Sequence, residues 1–184
     1  MQALGRRRES ARRIRSYRRT ETHLRSAPTM PSPTHFDLVS HWRIAAPRER
    51  VWEALTHPED WPRWWPFVRS VRTLRAGDAE GLGSLRRIEW ATRLPYRLVI
   101  EVEAVEVLRQ ERLRARSSGQ LRGEGLWLLD GDDRFTDVTY VWRVTLEQRW
   151  MRLLAPLLAP GFRWNHAAVM RAGHTGLARF LGAA

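Results

Sequence analysis

The sequence has no cysteine, no lysine and no long apolar run. The lack of cysteine excludes disulfides, thiol catalysis and cysteine-ligated metal sites, and it is compatible with the cytoplasm, where we expect the protein to be located. Because no run of about 18 apolar residues occurs, the sequence predicts no transmembrane helix. All 32 basic side chains are arginine, which we attribute to coding bias in a GC-rich genome rather than to selection at individual sites.

The first part of the chain, 1–34, differs in composition from the rest. It carries nine arginines against Glu9 and Glu21, a net charge of +7 out of a total of +12. Apolar residues are too few here to offset the entropy of ordering, so we predict a disordered arginine-rich extension, 1–34, before one folded domain, 35–184. Two interpretations of the extension stay open. It is a solvated tail, or a segment upstream of a true start at Met30; or it contacts nucleic acid or an anionic membrane.

Most of the remaining chain has the alternation of apolar and polar residues that is typical of β-strands. Seven such stretches occur; a short helix and a bent segment separate the first two, and the others follow one another in succession. The predicted strands are 36–44, 67–76, 84–93, 97–109, 111–117, 120–129 and 135–147. Glycines at 123 and 125 predict a bend in the sixth strand, or the close approach of a bulky group.

Helical patterns occur after the first strand and at the end of the chain. A short helix is predicted for 46–56, with Pro47 in its first turn. Residues 57–66 contain three prolines, which predicts a bent segment without regular structure. This segment carries three of the ten tryptophans, Trp61, Trp64 and Trp65.

The longest helical pattern covers 161–181. Apolar residues and His166 recur there at steps of three and four, which predicts one face of a helix about 30 Å long. Two prolines, Pro156 and Pro160, predict that the preceding apolar stretch forms a separate short helix. A helix this long needs a broad surface to pack on, so we expect a curved antiparallel sheet around it.

This order of elements resembles the START-related helix-grip superfamily (SRPBCC), in particular its polyketide cyclase/dehydrase-like lipid-transport group. The resemblance covers 36–183 and rests on Ala46-Pro47 followed by Val51-Trp52, on the tryptophans of 61–65, on Gly81-Leu82-Gly83, on Gly123 and Gly125, and on the final helix. It implies an α+β helix-grip fold: a seven-stranded curved antiparallel sheet around a long C-terminal helix, with two short helices after the first strand. It also implies a cavity between sheet and helix for an aliphatic or polycyclic ligand. Carriers, receptors and enzymes share this fold, so the resemblance does not choose among them.

The inward faces of the predicted elements supply the candidate ligand-binding residues. Many aromatic and few polar groups are typical of an apolar small-molecule site. We expect Trp64, Trp65 and Tyr96 near its opening. Glycine inside a helix costs about 1 kcal/mol relative to alanine, so Gly173 and Gly176 either leave room for a ligand or allow close packing. The predicted ligand-binding residues are Trp64, Trp65, Trp90, Tyr96, Trp127, Trp142, Met170 and Gly173.

The sharpest polar feature is the pair Asn165-His166 on the final helix. His166 would shuttle a proton in an enolisation, because the unperturbed pKa of histidine is near 6.5. In the same hypothesis Tyr140 donates to a ketone oxygen and Arg86 holds a carboxylate or enolate. The alternative is that His166 is structural and bonds a strand carbonyl.

No cofactor and no metal site is predicted. His166 and His174 are eight residues apart, hence about 12 Å along the helix axis, which is too far for one ion. Neither a Gly-x-Ser-x-Gly elbow nor a phosphate-binding loop occurs.

Three functions follow, and the sequence favours them in this order. The first is binding or transport of a small hydrophobic molecule such as a lipid or polyketide. The second is a cyclase or aromatase reaction that uses His166, Tyr140 and Arg86. The third is contact with nucleic acid or an anionic surface through the arginine-rich extension.

Overall fold

The structure is a computed structural model that describes residues 34–91, 97–147 and 149–183, with backbone only for 149–158. The predicted extension, apart from Thr34, and Tyr96 therefore lie outside the described residues. These residues form seven strands: β1 (His35–Ile44), β2 (Val68–Arg75), β3 (Leu85–Ala91), β4 (Arg97–Leu108), β5 (Arg112–Gly119), β6 (Leu121–Gly131) and β7 (Thr136–Leu146). All seven predicted strands are confirmed, with ends that differ by one or two residues.

The strands form one antiparallel sheet in the order β1-β7-β6-β5-β4-β3-β2. The first strand lies at one edge of the sheet and pairs with the last strand, from His35 opposite Thr145 to Ile44 opposite Thr136. Burial alternates along β1, so that Phe36 and Ile44 are buried while Val39 is exposed. This period-two pattern gives the sheet one apolar face, which carries the core.

Two short helices follow β1, as the fold class predicted: α1 (Arg48–Thr56) and α2 (Trp61–Trp64), with a 3₁₀ helix (Pro58–Asp60) between them. The prediction that 57–66 has no regular structure is wrong. Pro58 is the first residue of the 3₁₀ helix, and Pro62 is the second residue of α2. A helix start tolerates proline because the N–H groups there have no acceptor within the helix.

The chain ends in one continuous helix, α3 (Arg149–Phe180), of 32 residues, which makes it roughly 48 Å long. The predicted break at Pro156 and Pro160 is wrong. Inside a helix each proline removes one backbone donor, and its ring clashes with the carbonyl four residues earlier, at a cost of about 3 kcal/mol. Its fixed φ nevertheless suits a helix, and the turns on either side of each proline continue the helix. The second half of α3 packs against β1 and α2, with Met170 and Leu177 buried.

The helices that the structure describes contain no segment that is long and apolar enough to cross a membrane.

Candidate ligand cavity

A cluster of tryptophans joins α2, the sheet and α3. Trp65 lies at its centre with 1% of its surface exposed, and its ring centroid is 5.1 Å from that of Trp90 and 5.6 Å from that of Trp42. Its indole Nε1 donates a hydrogen bond of 2.9 Å to the carbonyl of Val169 on α3. The sequence placed Trp65 near an opening, whereas the structure places it in the core. It fixes α2 to α3 at one end of the cavity.

A cavity of about 100 Å³ lies between the inward face of the sheet and α3. It is smaller than the roughly 300–1,000 Å³ of sites for drug-sized ligands, while an apolar cavity of about 150 Å³ accepts benzene. In this conformation it is smaller than both, so even a compact molecule of about one ring requires small shifts of the lining. A polycyclic ligand requires side chains of the lining to move.

Seven of the residues predicted to bind ligand or to act in catalysis line this cavity, Trp65 and six others. Sheet residues contribute the indoles and a phenol, and α3 contributes an imidazole and a thioether. The six others are Trp90, Trp127, Tyr140, Trp142, His166 and Met170.

Besides the indoles, the described lining residues include four with polar side chains, Ser117 of β5, Tyr140 of β7, and Asn165 and His166 of α3. None of the described residues that line the cavity is an arginine, aspartate or glutamate. An unpaired charge in such a cavity is costly, because nothing there replaces the water it loses. The arrangement therefore favours a neutral ligand with one or two hydrogen-bonding groups.

His166 is buried and its ring stacks on Trp142, with centroids 5.3 Å apart and an interplanar angle of 20°. Burial lowers the pKa of His166 to about 4, so the imidazole is neutral at pH 7. Its Nε2 lies 3.5 Å from the hydroxyl of Ser40 on β1, which is the long limit of a hydrogen bond. A neutral imidazole can accept a proton from a ligand and can donate a hydrogen bond.

Tyr140 stacks on Trp127 at a centroid distance of 4.1 Å, and its ring lies over Gly125 of β6. A Cβ at position 125 would be 2.8 Å from the Tyr140 hydroxyl, so glycine is needed there for the ring to approach. This is the close approach that the glycines of the sixth strand predicted. Burial raises the pKa of Tyr140 well above its usual value, which keeps the hydroxyl protonated as a hydrogen-bond donor.

Arg86 does not line the cavity. Its Nε donates a hydrogen bond of 2.8 Å to Glu59 in the 3₁₀ helix, and its Nη1 donates one of 2.6 Å to Ser84. Burial raises the pKa of Glu59, but hydrogen bonds from Thr73 and Arg86 outweigh this effect and leave the pKa lowered. The guanidinium therefore pairs with a carboxylate of the protein itself.

Two further predicted residues lie outside the cavity. Trp64 lines a separate surface groove of about 680 Å³, next to Arg63, Arg171 and Arg179. Gly173 faces Trp65, since a Cβ there would be 2.5 Å from the indole Cε2. The sequence left two interpretations of Gly173, room for a ligand or close packing. This contact agrees with close packing.

Sequence reasoning missed several lining residues, among them Trp61, Ser117 and Phe162. Ser117 was within reach, because it follows Leu113 and Ala115 at the period of two along the predicted fifth strand. Phe162 was within reach too, because it lies in the predicted helix four residues before His166 and so on the same face. Within the described residues no group of three His, Cys, Asp or Glu side chains comes close enough to hold a metal ion.

A family model described as polyketide cyclase / dehydrase and lipid transport matches residues 35–181 of the chain. No curated protein sequence matches the chain. Among solved structures, the chain is similar to the di-domain ARO/CYC BexL from the BE-7585A biosynthetic pathway, with a TM-score of 0.67 and 16% identity. The match covers 84% of this chain and 52% of BexL, so the chain spans about half the length of that two-domain protein.

Two similar structures match over nearly their whole length. The Zhui aromatase/cyclase from Streptomyces sp. R1128 has a TM-score of 0.64 and 13% identity, over 80% of this chain and 94% of that one. A START superfamily protein from Mycobacterium smegmatis has a TM-score of 0.65 and 12% identity, over 79% of this chain and 97% of that one. At such identities the likeness establishes the fold alone.

Proposed function

We propose a ligand-binding function from the premise that the chain belongs to the polyketide cyclase / dehydrase and lipid transport family. The cavity between the sheet and α3 binds a compact hydrophobic molecule without net charge. The observation that carries this proposal is the lining, which combines five indoles with four neutral polar side chains. Burial of apolar surface supplies the binding free energy, and the polar groups orient the ligand. A cytoplasmic location stays a prediction.

The test is a titration of the purified protein with a neutral single-ring ketone, acetophenone, followed by isothermal calorimetry. Native mass spectrometry of protein from its host would identify a ligand that copurifies. Ala115→Leu extends a side chain into the cavity, and we expect it to weaken binding about tenfold or more. Ala79→Leu, in an exposed turn, is the matched control. Equal affinity in both variants would show that the ligand binds elsewhere.

A cyclase or aromatase reaction is the second candidate, supported by the position of His166 and Tyr140 in one cavity. His166 is neutral and can take a proton from a carbon next to a ketone, while the Tyr140 hydroxyl donates to the developing enolate oxygen. Arg86 has no part in this version, because Glu59 holds it outside the cavity.

The experiment for this candidate is hydrogen–deuterium exchange at the central carbon of pentane-2,4-dione, observed by NMR. Catalysed exchange that is lost in His166→Ala supports the enzyme hypothesis. An equal exchange rate in His166→Ala rejects His166 as the base, and binding of acetophenone to the same sample shows that the cavity is intact.

A further inference from the structure

Ser117 of β5 has a hydroxyl that is buried and has no hydrogen-bond partner among the described residues. The residue is 4% exposed and belongs to the lining of the cavity. Its neighbours on the adjacent strands are Val102 of β4 and Gly123 of β6, and neither has a polar side chain. Buried hydroxyls in proteins nearly always have a partner, so this one requires an explanation.

An unsatisfied hydroxyl makes the empty protein less stable, because the group has lost its water without gaining a replacement. Alanine would fit the same space without this cost. A ligand oxygen within reach of Ser117 would supply the missing acceptor and recover the lost hydrogen bond.

The second polar atom on this part of the sheet is the Tyr140 hydroxyl, which lies over Gly125. Gly125 pairs with Ala115, two residues from Ser117 on β5, so the two hydroxyls lie on one face of the sheet at diagonal positions. Glycine at 123 and 125 leaves β6 without side chains between them. The backbone of β7 approaches Gly123, and the Tyr140 ring covers Gly125. Both hydroxyl-bearing residues, Ser117 and Tyr140, line the same cavity, so one ligand in it can reach them.

Resting on the proposed binding function, we propose that Ser117 is the polar anchor of the cavity and bonds the oxygen of a neutral planar ring compound. The class of ligand is an aromatic or conjugated ketone, or a phenol, of about one ring. The ring lies among the indoles, and the oxygen points towards β5. Carboxylates and phosphates are excluded from this class because no arginine is among the described residues that line the cavity, so none of these residues pairs with an anion.

The test compares two ligands of the same shape, acetophenone and α-methylstyrene, in which a CH₂ group replaces the carbonyl oxygen. Isothermal calorimetry gives both affinities for the wild type, for Ser117→Ala and for Ser118→Ala. Ser118 is the adjacent, exposed residue on the opposite face of β5 and serves as the control. We expect Ser117→Ala to weaken acetophenone binding by roughly five- to tenfold and to leave α-methylstyrene binding unchanged, as loss of one neutral hydrogen bond predicts.

Two further measurements separate an anchor from a residue that only supports the fold. Ser117→Ala should raise the thermal midpoint of the empty protein, whereas Ser118→Ala should not change it. Ser117→Thr, which keeps a hydroxyl, should keep the preference for acetophenone over α-methylstyrene.

Three results would overturn the proposal. In the first, Ser117→Ala weakens both ligands equally, which assigns Ser117 to the shape of the cavity. In the second, the wild type binds both ligands equally well, which supports binding in the cavity but rejects Ser117 as a hydrogen-bonding anchor. In the third, neither ligand binds the wild type, and the proposed function and the anchor fall together.

Discussion

The buried imidazole of His166 makes the stability of the protein depend on pH. Its pKa is about 4 in the folded protein, against 6.5 in the unfolded chain. Between these values the unfolded state binds more protons, so stability is complete above about pH 6.5 and is lost as the pH falls towards 4. A shift of this size corresponds to about 3 kcal/mol at most. We expect urea denaturation to show a lower free energy of unfolding at pH 4.5 than at pH 7.

His166→Gln removes the titrating group and keeps a polar side chain of similar length, so its free energy of unfolding should change less between these two pH values. His174→Gln, also on α3, is the control, because the His174 ring bonds the carbonyl of Arg43 at an exposed position. If the wild type and His166→Gln lose the same free energy between pH 7 and pH 4.5, the imidazole is not the group responsible.

The period of two was enough to predict which sheet side chains face the helix, as Trp90 and Tyr140 show. The same pattern was wrong for Arg86, which lies four residues before Trp90 and was therefore expected on the same face, in the cavity. Position along the strand decides its contacts, since the end of β3 lies beside Glu59 of the 3₁₀ helix. A partner that is distant in sequence leaves no local signal. Ser117 shows the opposite case. The period of two places its side chain on the inward face, but only the structure shows that its hydroxyl has no hydrogen-bond partner among the described residues.

The contact between α2 and α3 depends on two glycines of the long helix. A Cβ at Gly176 would be 1.7 Å from the carbonyl oxygen of Trp64, and a Cβ at Gly173 would strike the Trp65 ring. The first obstacle is backbone, which cannot rotate away, whereas the second is a ring fixed by its hydrogen bond to Val169. These glycines let the tryptophan segment reach the helix and close one end of the cavity.

We expect Gly176→Ala to destabilise the protein by about 1–3 kcal/mol, because overpacking outweighs the gain in helix propensity of about 1 kcal/mol. Gly161→Ala is the matched control in the same helix, since no described atom beyond the neighbouring helix backbone lies within 4 Å of its Cβ position, and it should be neutral or stabilising. Urea denaturation at pH 7 measures both. A stabilised Gly176→Ala variant would mean that α2 does not lie against α3 at this point.

The helices were harder to predict from sequence than the strands, and the prolines explain why. Proline was interpreted as a helix breaker at Pro58, Pro62, Pro156 and Pro160, yet all four lie in helices. At a helix start it removes no bond, and inside a 32-residue helix the other hydrogen bonds continue past it. The number of strands, their order in the chain and the helix-grip resemblance were confirmed, because they depend on patterns repeated many times.

The folded part of the chain, with a net charge of +5, pairs many of its charges within the sheet. On the face that points away from α3, Arg87 contacts Glu101 at 2.7 Å, and Arg143 contacts Asp37 at 3.3 Å. Each exposed pair adds about 0–1 kcal/mol, so their main effect is to neutralise charge rather than to hold the fold. Most of the excess positive charge therefore lies in the extension, which carries +7 of the total of +12.

A protein that starts at Met30 should keep the fold and the cavity. The described hydrogen bonds of β1 begin at Thr34, whose carbonyl accepts from Leu146, and the truncation leaves this contact intact. We expect the same thermal midpoint and the same acetophenone affinity as in the full chain.

If the extension contacts nucleic acid, the full chain alone will bind duplex DNA, with a logarithmic salt slope of about −0.9 for each phosphate neutralised. Equal DNA binding by both proteins would exclude this role of the extension, and a lowered midpoint would show that it supports the folded domain.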